Sequence, residues 1–270
     1  MVSQVSQPLR RLTADRSPVG FLLLVTAMSL PLWLLGALVD TREYLPINLP
    51  MSSLQAFCPL LAAAILVRRE GPGAVRRLLA SAFAGFPGRW LVPVVLFMPA
   101  VSVATYAAMR LLGRPLPEPV IPLGAIAIFL VVFFLGALGE ETGWTGYFTD
   151  PARERWGALP AALLLGVFWA AWHVVGWLVL AGQPVGWTVA KCVLAVGLRV
   201  IMMWIHVGTG SVLAAVGFHT MVNVAEFAFP NFGDRYDPAL AAVFVTVAAI
   251  AVGFRLLKTS AETASPMASR

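Results

Sequence analysis

The chain has 270 residues, of which 59% are hydrophobic and only 12% are charged, and its mean hydropathy is +0.83. Because about a quarter of the residues in soluble domains are charged, this composition excludes an ordinary soluble enzyme and predicts an integral membrane protein. The formal net charge is +6, but the basic residues lie between apolar segments, a pattern that membrane topology explains better than nucleic-acid binding. We therefore expect membrane lipid around the chain and no nucleic-acid partner.

Eight apolar segments follow one another along the chain, most of them close to the roughly 20 residues that a helix needs to cross a bilayer. The alternating pattern of a membrane β-barrel is absent. The sequence therefore predicts an all-α, polytopic transmembrane helix bundle of about eight helices. The predicted spans are Val19–Val39, Ser53–Val67, Trp90–Leu112, Ile121–Phe148, Ala158–Leu180, Val189–His206, Ser211–Phe229 and Pro238–Leu257.

Continuous hydrophobicity predicts a single integral membrane domain over residues 1–270, and the small, polar ends, residues 1–17 and 259–270, are expected to be mobile tails. Lys and Arg concentrate in the loops that are cytoplasmic if both ends lie inside, so the positive-inside rule predicts an N-in/C-in orientation. The basic segment Arg68–Arg89 is either an amphipathic stretch lying on anionic lipid or an ordinary positive-inside loop.

Two adjacent carboxylates, Glu140 and Glu141, close the apolar stretch that starts at Ile121. An ionised carboxylate at the centre of a membrane helix costs about 2.5 kcal/mol or more, so such residues are usually functional. Apolar and aromatic residues continue past the pair to Phe148, which places the pair below the membrane surface rather than at a solvated helix end. Because neighbouring helical residues diverge by about 100°, we expect one carboxylate to face a cavity and the other to orient or pair.

Two later apolar spans add His173, and then His219 with Asn223. His219 and Asn223 are four residues apart, so they share a helix face, and both can donate hydrogen bonds to an oxyanion. Glu226 lies on roughly the same side, three residues after Asn223. The same residue types also hydrogen-bond neighbouring membrane helices, and this structural alternative stays open.

These side chains favour hydrolysis by an activated water. No serine lies beside a histidine, so acyl-enzyme chemistry lacks a clear nucleophile. A desolvated glutamate can take a proton from water, and an imidazole can hold that water. Two histidines and a carboxylate could instead bind zinc, but the His-Glu-x-x-His spacing is absent. The sequence therefore favours a site without a metal or other cofactor, and leaves zinc open.

The order of these motifs resembles the CPBP family of intramembrane glutamic endopeptidases, the CAAX prenyl protease and bacteriocin-processing family, also called the Abi family. The matching motifs are Glu140-Glu141, Trp169 to His173, and His219 to Asn223, each on a separate span. The stretch that starts at Arg199 is also similar to the family's segment before its last motif. The resemblance covers about residues 121–229, which it identifies as the catalytic core.

The resemblance implies an eight-helix endopeptidase that depends on glutamate. Glu140 would be the general base for the attacking water, assisted by His173. His219 and Asn223 would form the oxyanion site, and Glu141 would be a supporting carboxylate. No metal ligand is implied.

The chain departs from the family pattern at two positions. Thr145 stands where the family usually has an arginine, which would balance a buried carboxylate. We expect Arg199 to compensate as a second supporting residue. Trp169 stands where the family usually has phenylalanine, a milder change of aromatic ring.

We expect a peptide or protein substrate, with or without a lipid modification, and a multi-pass protein of a bacterial cell membrane. Thr145 favours one alternative, a non-catalytic family member that binds a peptide or partner, as in bacteriocin self-immunity. A proton-coupled transporter is a second alternative, because intramembrane Glu and His also form proton relays. The lack of an internal repeat counts against the transporter.

Overall fold

The computed structural model describes residues 16–39, 51–230, 233 and 235–264, and side chains as far as residue 258. This part of the chain contains ten α-helices and no strand. The α-helices are α1 Pro18–Leu38, α2 Cys58–Val67, α3 Ala74–Ser81, α4 Leu91–Leu111, α5 Leu123–Gly143, α6 Asp150–Trp156, α7 Ala158–Val174, α8 Val185–Thr209, α9 Val212–Ala228 and α10 Pro238–Ala264.

Short helical turns extend several of these helices. The 3₁₀ turns Met51–Phe57 and Gly88–Trp90 lead into α2 and α4, and a third, Arg68–Glu70, ends α2. A wider π-helical turn, Trp144–Thr149, joins α5 to α6, and another, Val175–Leu180, extends α7. π-Helical turns inside helices are frequent at functional sites.

Seven helical segments of the described chain are long and apolar enough to cross a membrane. The remaining predicted span, Ser211–Phe229, corresponds to α9, which has only 17 residues and is buried along most of its length. The prediction of an all-α, polytopic membrane bundle is confirmed. The membrane-length segments are Pro18–Leu38, Met51–Glu70, Gly88–Leu111, Leu123–Trp156, Ala158–Leu180, Val185–Thr209 and Pro238–Lys258.

Two predicted boundaries differ from the structure by more than four residues. The fourth span was expected to end at Phe148, but α5, the π-helical turn and α6 form one run of 34 residues that ends at Trp156. Pro151 does not break this run because it lies in the first turn of α6, where a missing N–H costs little. Helix α10 continues to Ala264, into the segment expected to be a tail, whereas residues 1–15 and 265–270 lie outside the described residues.

Helices α8 and α9 form the centre of the bundle. Helix α8 packs against α7 and α10, and α9 packs against α4 and α5. Close approach of these helices depends on glycine, as in many membrane bundles. A Cβ atom at Gly166 of α7 would lie 3.0 Å from the Cα of Val196 on α8. A Cβ atom at Gly143 of α5 would overlap the backbone of Pro59 on α2.

Ion pairs show how the helices run. Lys191, near the start of α8, pairs with Glu226, near the end of α9, so these two helices are antiparallel. At the opposite end of the bundle, Arg16 pairs with Glu70 at 2.7 Å. The N-in/C-in orientation of the bundle stays a prediction from the Lys/Arg distribution.

Candidate active site

Glu140 and Glu141 occupy the last turn of α5 and are enclosed by α7, α8 and α9. Glu140 is 7% exposed and Glu141 is fully buried. Both carboxylates reach the same space, although neighbouring helical residues diverge, because ligand atoms of Glu140, Glu141 and His219 lie within 4.8 Å of one another. Their Cβ atoms diverge, but the rotatable bonds of each glutamate bring both carboxylates into the same space between the helices.

The carboxylate of Glu141 is fully engaged. Arg199 of α8 donates from Nη1 to its Oε2 at 2.9 Å, and Thr145 donates from Oγ1 to the same oxygen at 2.6 Å. His219 of α9 donates from Nδ1 to its Oε1 at 2.9 Å. A buried charge needs a partner and filled hydrogen bonds, and Glu141 has both. Glu141 thus links α5 to α8 and α9.

Glu140 has a different environment. Its Oε2 accepts hydrogen bonds from the indole N–H groups of Trp169, at 2.7 Å, and Trp144, at 3.2 Å. Both donors are neutral, and within the described chain no Lys or Arg pairs with this carboxylate. Its Oε1 accepts no hydrogen bond from the described residues, so it is available to a water molecule. Glu140 therefore combines a fixed orientation with one open oxygen and no cationic partner among the described residues.

The hydrogen bonds of the two histidines define their tautomers. His173 Nδ1 lies 2.8 Å from the carbonyl oxygen of Trp169, which can only accept, so Nδ1 carries the proton. His219 Nδ1 faces the carboxylate of Glu141 in the same way. In the neutral ring of either histidine, Nε2 is therefore an acceptor. It becomes a donor only when the ring carries both protons.

Trp169 connects the site. Its ring packs edge-to-face against His173, with centroids 4.8 Å apart, and against His219, with centroids 5.3 Å apart. The Cζ atom of Arg199 lies 4.2 Å from the centroid of the same ring. A phenylalanine could fill this space, but it could not donate the hydrogen bond to Glu140. The departure from the family pattern at this position thus adds a contact to the candidate base.

The structure brings the predicted site residues together to different degrees. Glu140, Glu141 and His219 meet directly. His173 joins them through Trp169 and through electrostatic interaction with Glu140 and His219. Asn223 is half-buried one turn after His219, and the described residues give its amide no hydrogen-bond partner. Its place in the site follows from helical register alone.

Sequence reasoning missed the indole donors to Glu140. Trp144 follows Glu140 by four residues, so helical spacing could have identified it as a neighbour on the same face. No local signal identifies Trp169 as a donor, because its partner lies 29 residues earlier on another helix. Tryptophans near membrane helix ends are usually taken as interfacial anchors, which conceals such a role.

Glu140, Glu141 and His219 are the described residues that could hold a metal ion. Both oxygens of Glu141 are engaged, and His219 directs its Nδ1 proton at that carboxylate. The guanidinium of Arg199, 2.9 Å from Glu141, would also repel a second cation. Oε1 of Glu140 and Nε2 of a neutral His219 accept no hydrogen bond from the described residues, and either could bind a water or a metal ion. A site without a metal therefore stays a prediction from the sequence.

Comparison with known proteins agrees with the motif order. Residues 122–225 match the family model described as Type II CAAX prenyl endopeptidase Rce1-like. CAAX prenyl protease 2 of Methanococcus maripaludis is 25% identical over 131 residues, which cover 45% of this chain and 48% of that protein. The match thus spans about half the length of this relative. These findings confirm the resemblance to the CPBP family, and the matched segment contains α5 to α8 and most of α9.

Proposed function

We propose that this chain, whose residues 122–225 carry the CPBP family core, is an intramembrane endopeptidase that hydrolyses a peptide bond with an activated water. The environment of Glu140 is the observation that carries the proposal. Its carboxylate is buried in a membrane bundle, is held by two indole N–H groups, keeps one oxygen open, and has no cationic partner among the described residues. A purely structural carboxylate would be expected to resemble Glu141, which is neutralised on all sides.

The proposed reaction begins with a water that donates to Oε1 of Glu140 and to Nε2 of His173. Glu140 removes a proton, and the water oxygen bonds to the carbonyl carbon of the substrate. The carbonyl π electrons move to oxygen and form an oxyanion. When they return, the C–N bond breaks, and the proton taken from water passes to the leaving amine. The acyl product is then a carboxylic acid, and its proton passes to the amine. The final products are a carboxylate and an ammonium terminus, so atoms and charges balance.

Asn223 and His219 are proposed to stabilise the oxyanion. The side-chain amide of Asn223 can donate in any protonation state. His219 can donate from Nε2 only as an imidazolium, because its Nδ1 proton is committed to Glu141. Asn223 is therefore the donor that is always available, and His219 adds a second hydrogen bond when its ring is protonated.

Arg199 supports the catalytic over the non-catalytic alternative. Thr145 favoured a non-catalytic protein because it removes the usual arginine beside the carboxylates. In the structure Arg199 supplies a cation to Glu141 from α8, and Thr145 adds a hydrogen bond to the same oxygen. The charge balance of the site thus has an alternative source.

A peptide or protein of the membrane is the proposed substrate class. The site lies inside a multi-pass bundle, where a substrate segment reaches it through the bilayer or its interface. The relative from Methanococcus maripaludis is named a CAAX prenyl protease, which makes a prenylated peptide one substrate to test. We further propose that the chain acts in a bacterial cell membrane.

Cleavage of peptides by the purified protein in detergent tests the proposal. A peptide library is offered in prenylated and unmodified forms, with and without a chelator, to the wild type, Glu140→Gln and the exposed control Glu154→Gln. We expect Glu140→Gln to lose about a hundredfold or more in kcat while it stays folded, since general bases contribute about 10²–10⁴-fold. Chelator should have no effect.

Two outcomes would overturn the proposal. Full activity of Glu140→Gln would exclude Glu140 as the base, and loss of activity with chelator would require a metal. If the wild type cleaves no peptide in either form, the partner-binding alternative is favoured instead.

A further inference from the structure

A second buried charge cluster lies on the α8–α9 interface, and the proposed reaction does not use it. Lys191 Nζ lies 2.5 Å from Oε1 and 2.6 Å from Oε2 of Glu226. The two side chains are only 10% and 11% exposed. Because desolvation of two charges can cost more than their attraction returns, a hydrophobic pair would hold these helices at least as well. Charged residues inside a membrane bundle are usually retained for function.

Three aromatic rings surround the ammonium group of Lys191. Nζ lies 5.2 Å from the ring centroid of Trp177, 5.6 Å from that of Trp187 and 6.0 Å from that of Tyr236. These are cation–π distances, and such contacts strengthen when water is excluded. Glu226 therefore holds Lys191 in place, and Lys191 in turn restrains the three rings around it.

Trp177 is the ring that connects this cluster to the candidate active site. Its indole stacks on the imidazole of His173, with centroids 5.0 Å apart and an interplanar angle of 26°. The same indole thus contacts both Lys191 and His173. Neither Trp187 nor Tyr236 has a ring contact with His173 among the described residues.

Helical register alone does not set the position of Trp177. The residue lies in the π-helical turn Val175–Leu180, where the regular spacing of the α-helix is lost. A ring in such a turn needs a contact from another element to hold its angle. Lys191 and Trp187 of α8 both contact this ring, and Glu226 of α9 holds Lys191.

We propose that the Lys191–Glu226 pair holds Trp177 against His173, and that Lys191, Glu226 and Trp177 are positioning residues for this imidazole. The Trp169 carbonyl fixes the Nδ1 side of the His173 ring, and the Trp177 stack fixes the plane of the ring. Together they direct Nε2 toward the space beside Glu140. The consequence for catalysis rests on the proposed function, whereas the effect on the imidazole does not.

Histidine NMR tests the positioning without any activity. The chain contains three histidines, His173, His206 and His219, so ¹³Cε1 labelling gives three ring signals that His→Gln variants assign. Trp177→Leu should shift the His173 signal by loss of the ring current. The double variant Lys191→Met/Glu226→Gln, which leaves no unpaired charge, should also shift it. Because Lys191 acts on His173 through its charge as well, the shift should be much smaller when the double variant is made in a Trp177→Leu chain.

A matched control is the ion pair Arg16–Glu70, whose side chains are each 15% exposed and whose guanidinium lies over Tyr147. The double variant Arg16→Gln/Glu70→Gln removes a similar pair at the other end of the bundle and should leave the His173 signal in place. If Lys191→Met/Glu226→Gln leaves the signal at its wild-type position, the proposal is overturned. The same holds if the control pair shifts it equally.

Kinetics then measure the consequence for the reaction. We expect Lys191→Met/Glu226→Gln and Trp177→Leu to lower kcat about ten- to a hundredfold with KM nearly unchanged, because small displacements of a catalytic group cost this much. Trp177→Phe keeps an aromatic stack and should recover most of the loss. Wild-type kcat in the double variant, with an inactive Glu140→Gln, would refute the positioning role alone. An active Glu140→Gln would refute the proposed function. The NMR signal of His173 would still show whether the Lys191–Glu226 pair positions this imidazole.

Discussion

Glu140 and Glu141 are neighbours in the sequence, but their carboxylates have opposite surroundings. Glu141 accepts from Arg199, Thr145 and His219, whereas Glu140 accepts from two indoles and from no other described residue. This difference in partners supports the proposed roles, Glu141 as the supporting carboxylate and Glu140 as the base, on physical grounds that do not depend on the family pattern. The contribution of the Glu141 contacts can therefore be measured as a change in the free energy of unfolding.

Removal of Arg199 should therefore destabilise the fold through Glu141. Arg199→Met leaves a buried carboxylate without its cation, which typically costs about 3–5 kcal/mol. The unfolding temperature in detergent should fall by on the order of 10 °C. In the double variant Arg199→Met/Glu141→Gln no charge is left unpaired, so at least half of the loss should return. A double variant no more stable than Arg199→Met would contradict the pairing as the cause.

The sequence was informative about the site where a residue type was itself unusual in a membrane. Carboxylates and histidines in apolar segments indicated Glu140, His173 and His219 because burial of such groups is costly without a purpose. Partners were harder to predict. Arg199 pairs with a residue 58 positions earlier, and Lys191 with one 35 positions later. Only the packing of the helices fixes such distances.

At the scale of helices, the approach of α5 to α2 depends on Gly143. Gly143 lies two residues after Glu141, and a Cβ atom there would overlap the backbone of Pro59. We expect Gly143→Ala to cost about 1–3 kcal/mol by overpacking. The matched control is Gly136 on the same helix, where a Cβ atom would meet nothing within 4 Å. Gly136→Ala should be neutral or stabilise by up to about 1 kcal/mol, since alanine favours helix.

Thermal unfolding of the two glycine variants compares them under one condition. Opposite signs of the change in unfolding temperature are expected. Equal changes would mean that α2 moves away at little cost, and that the contact does not position the carboxylates.

Helix α10 has a charged cap whose contribution depends on pH. Asp237 accepts hydrogen bonds from the backbone N–H groups of Ala239, at 2.8 Å, and Leu240, at 3.1 Å, and pairs with Arg114. Burial raises the pKa of Asp237, but the hydrogen bonds and the Arg114 guanidinium outweigh it and hold the pKa below its ordinary value. The carboxylate therefore stabilises the fold fully above the ordinary pKa of aspartate, and the stabilisation is lost as pH falls through the lowered pKa.

Asp237→Ala should cost about 1 kcal/mol at neutral pH, a typical value for an N-cap. The difference from the wild type should shrink as the pH falls through the lowered pKa. Unfolding temperatures measured from neutral to acidic pH check this. A difference that stays constant into acid would show that the cap does not act through its charge.

The presence of each helix was easier to predict from the sequence than its local geometry. Length and hydropathy located each of the seven membrane-length segments in the described part of the chain, because the bilayer imposes the same minimum length on each of them. The π-helical turns at Trp144–Thr149 and Val175–Leu180 have no comparable signal in the sequence. Helix α9 is shorter than a usual span because it is surrounded by α4, α5 and α8 and contributes little of its surface to lipid. A helix buried inside the bundle can thus be shorter than the roughly 20 residues that predicted the other helices.

At the scale of the whole molecule, the orientation of the bundle decides where the proposed cleavage occurs. Glu140 lies 17 residues after the start of α5 at Leu123, or about 26 Å along the helix. The hydrocarbon core of a bilayer is about 30 Å thick. With N-in/C-in topology, α5 starts at the outer boundary, and the carboxylates lie near the cytoplasmic one. The opposite topology would place the same carboxylates near the outer surface.

Cysteine labelling in intact cells distinguishes the two orientations. In a chain with Cys58→Ala and Cys192→Ala, Glu118→Cys reports on the exposed loop before α5 and Glu154→Cys on the opposite end of the bundle. An impermeant thiol reagent should label position 118 in intact cells and position 154 only after lysis, because Lys and Arg concentrate at the end that carries residue 154. The reverse labelling would place the carboxylates, and with them the proposed cleavage, at the outer side of the membrane.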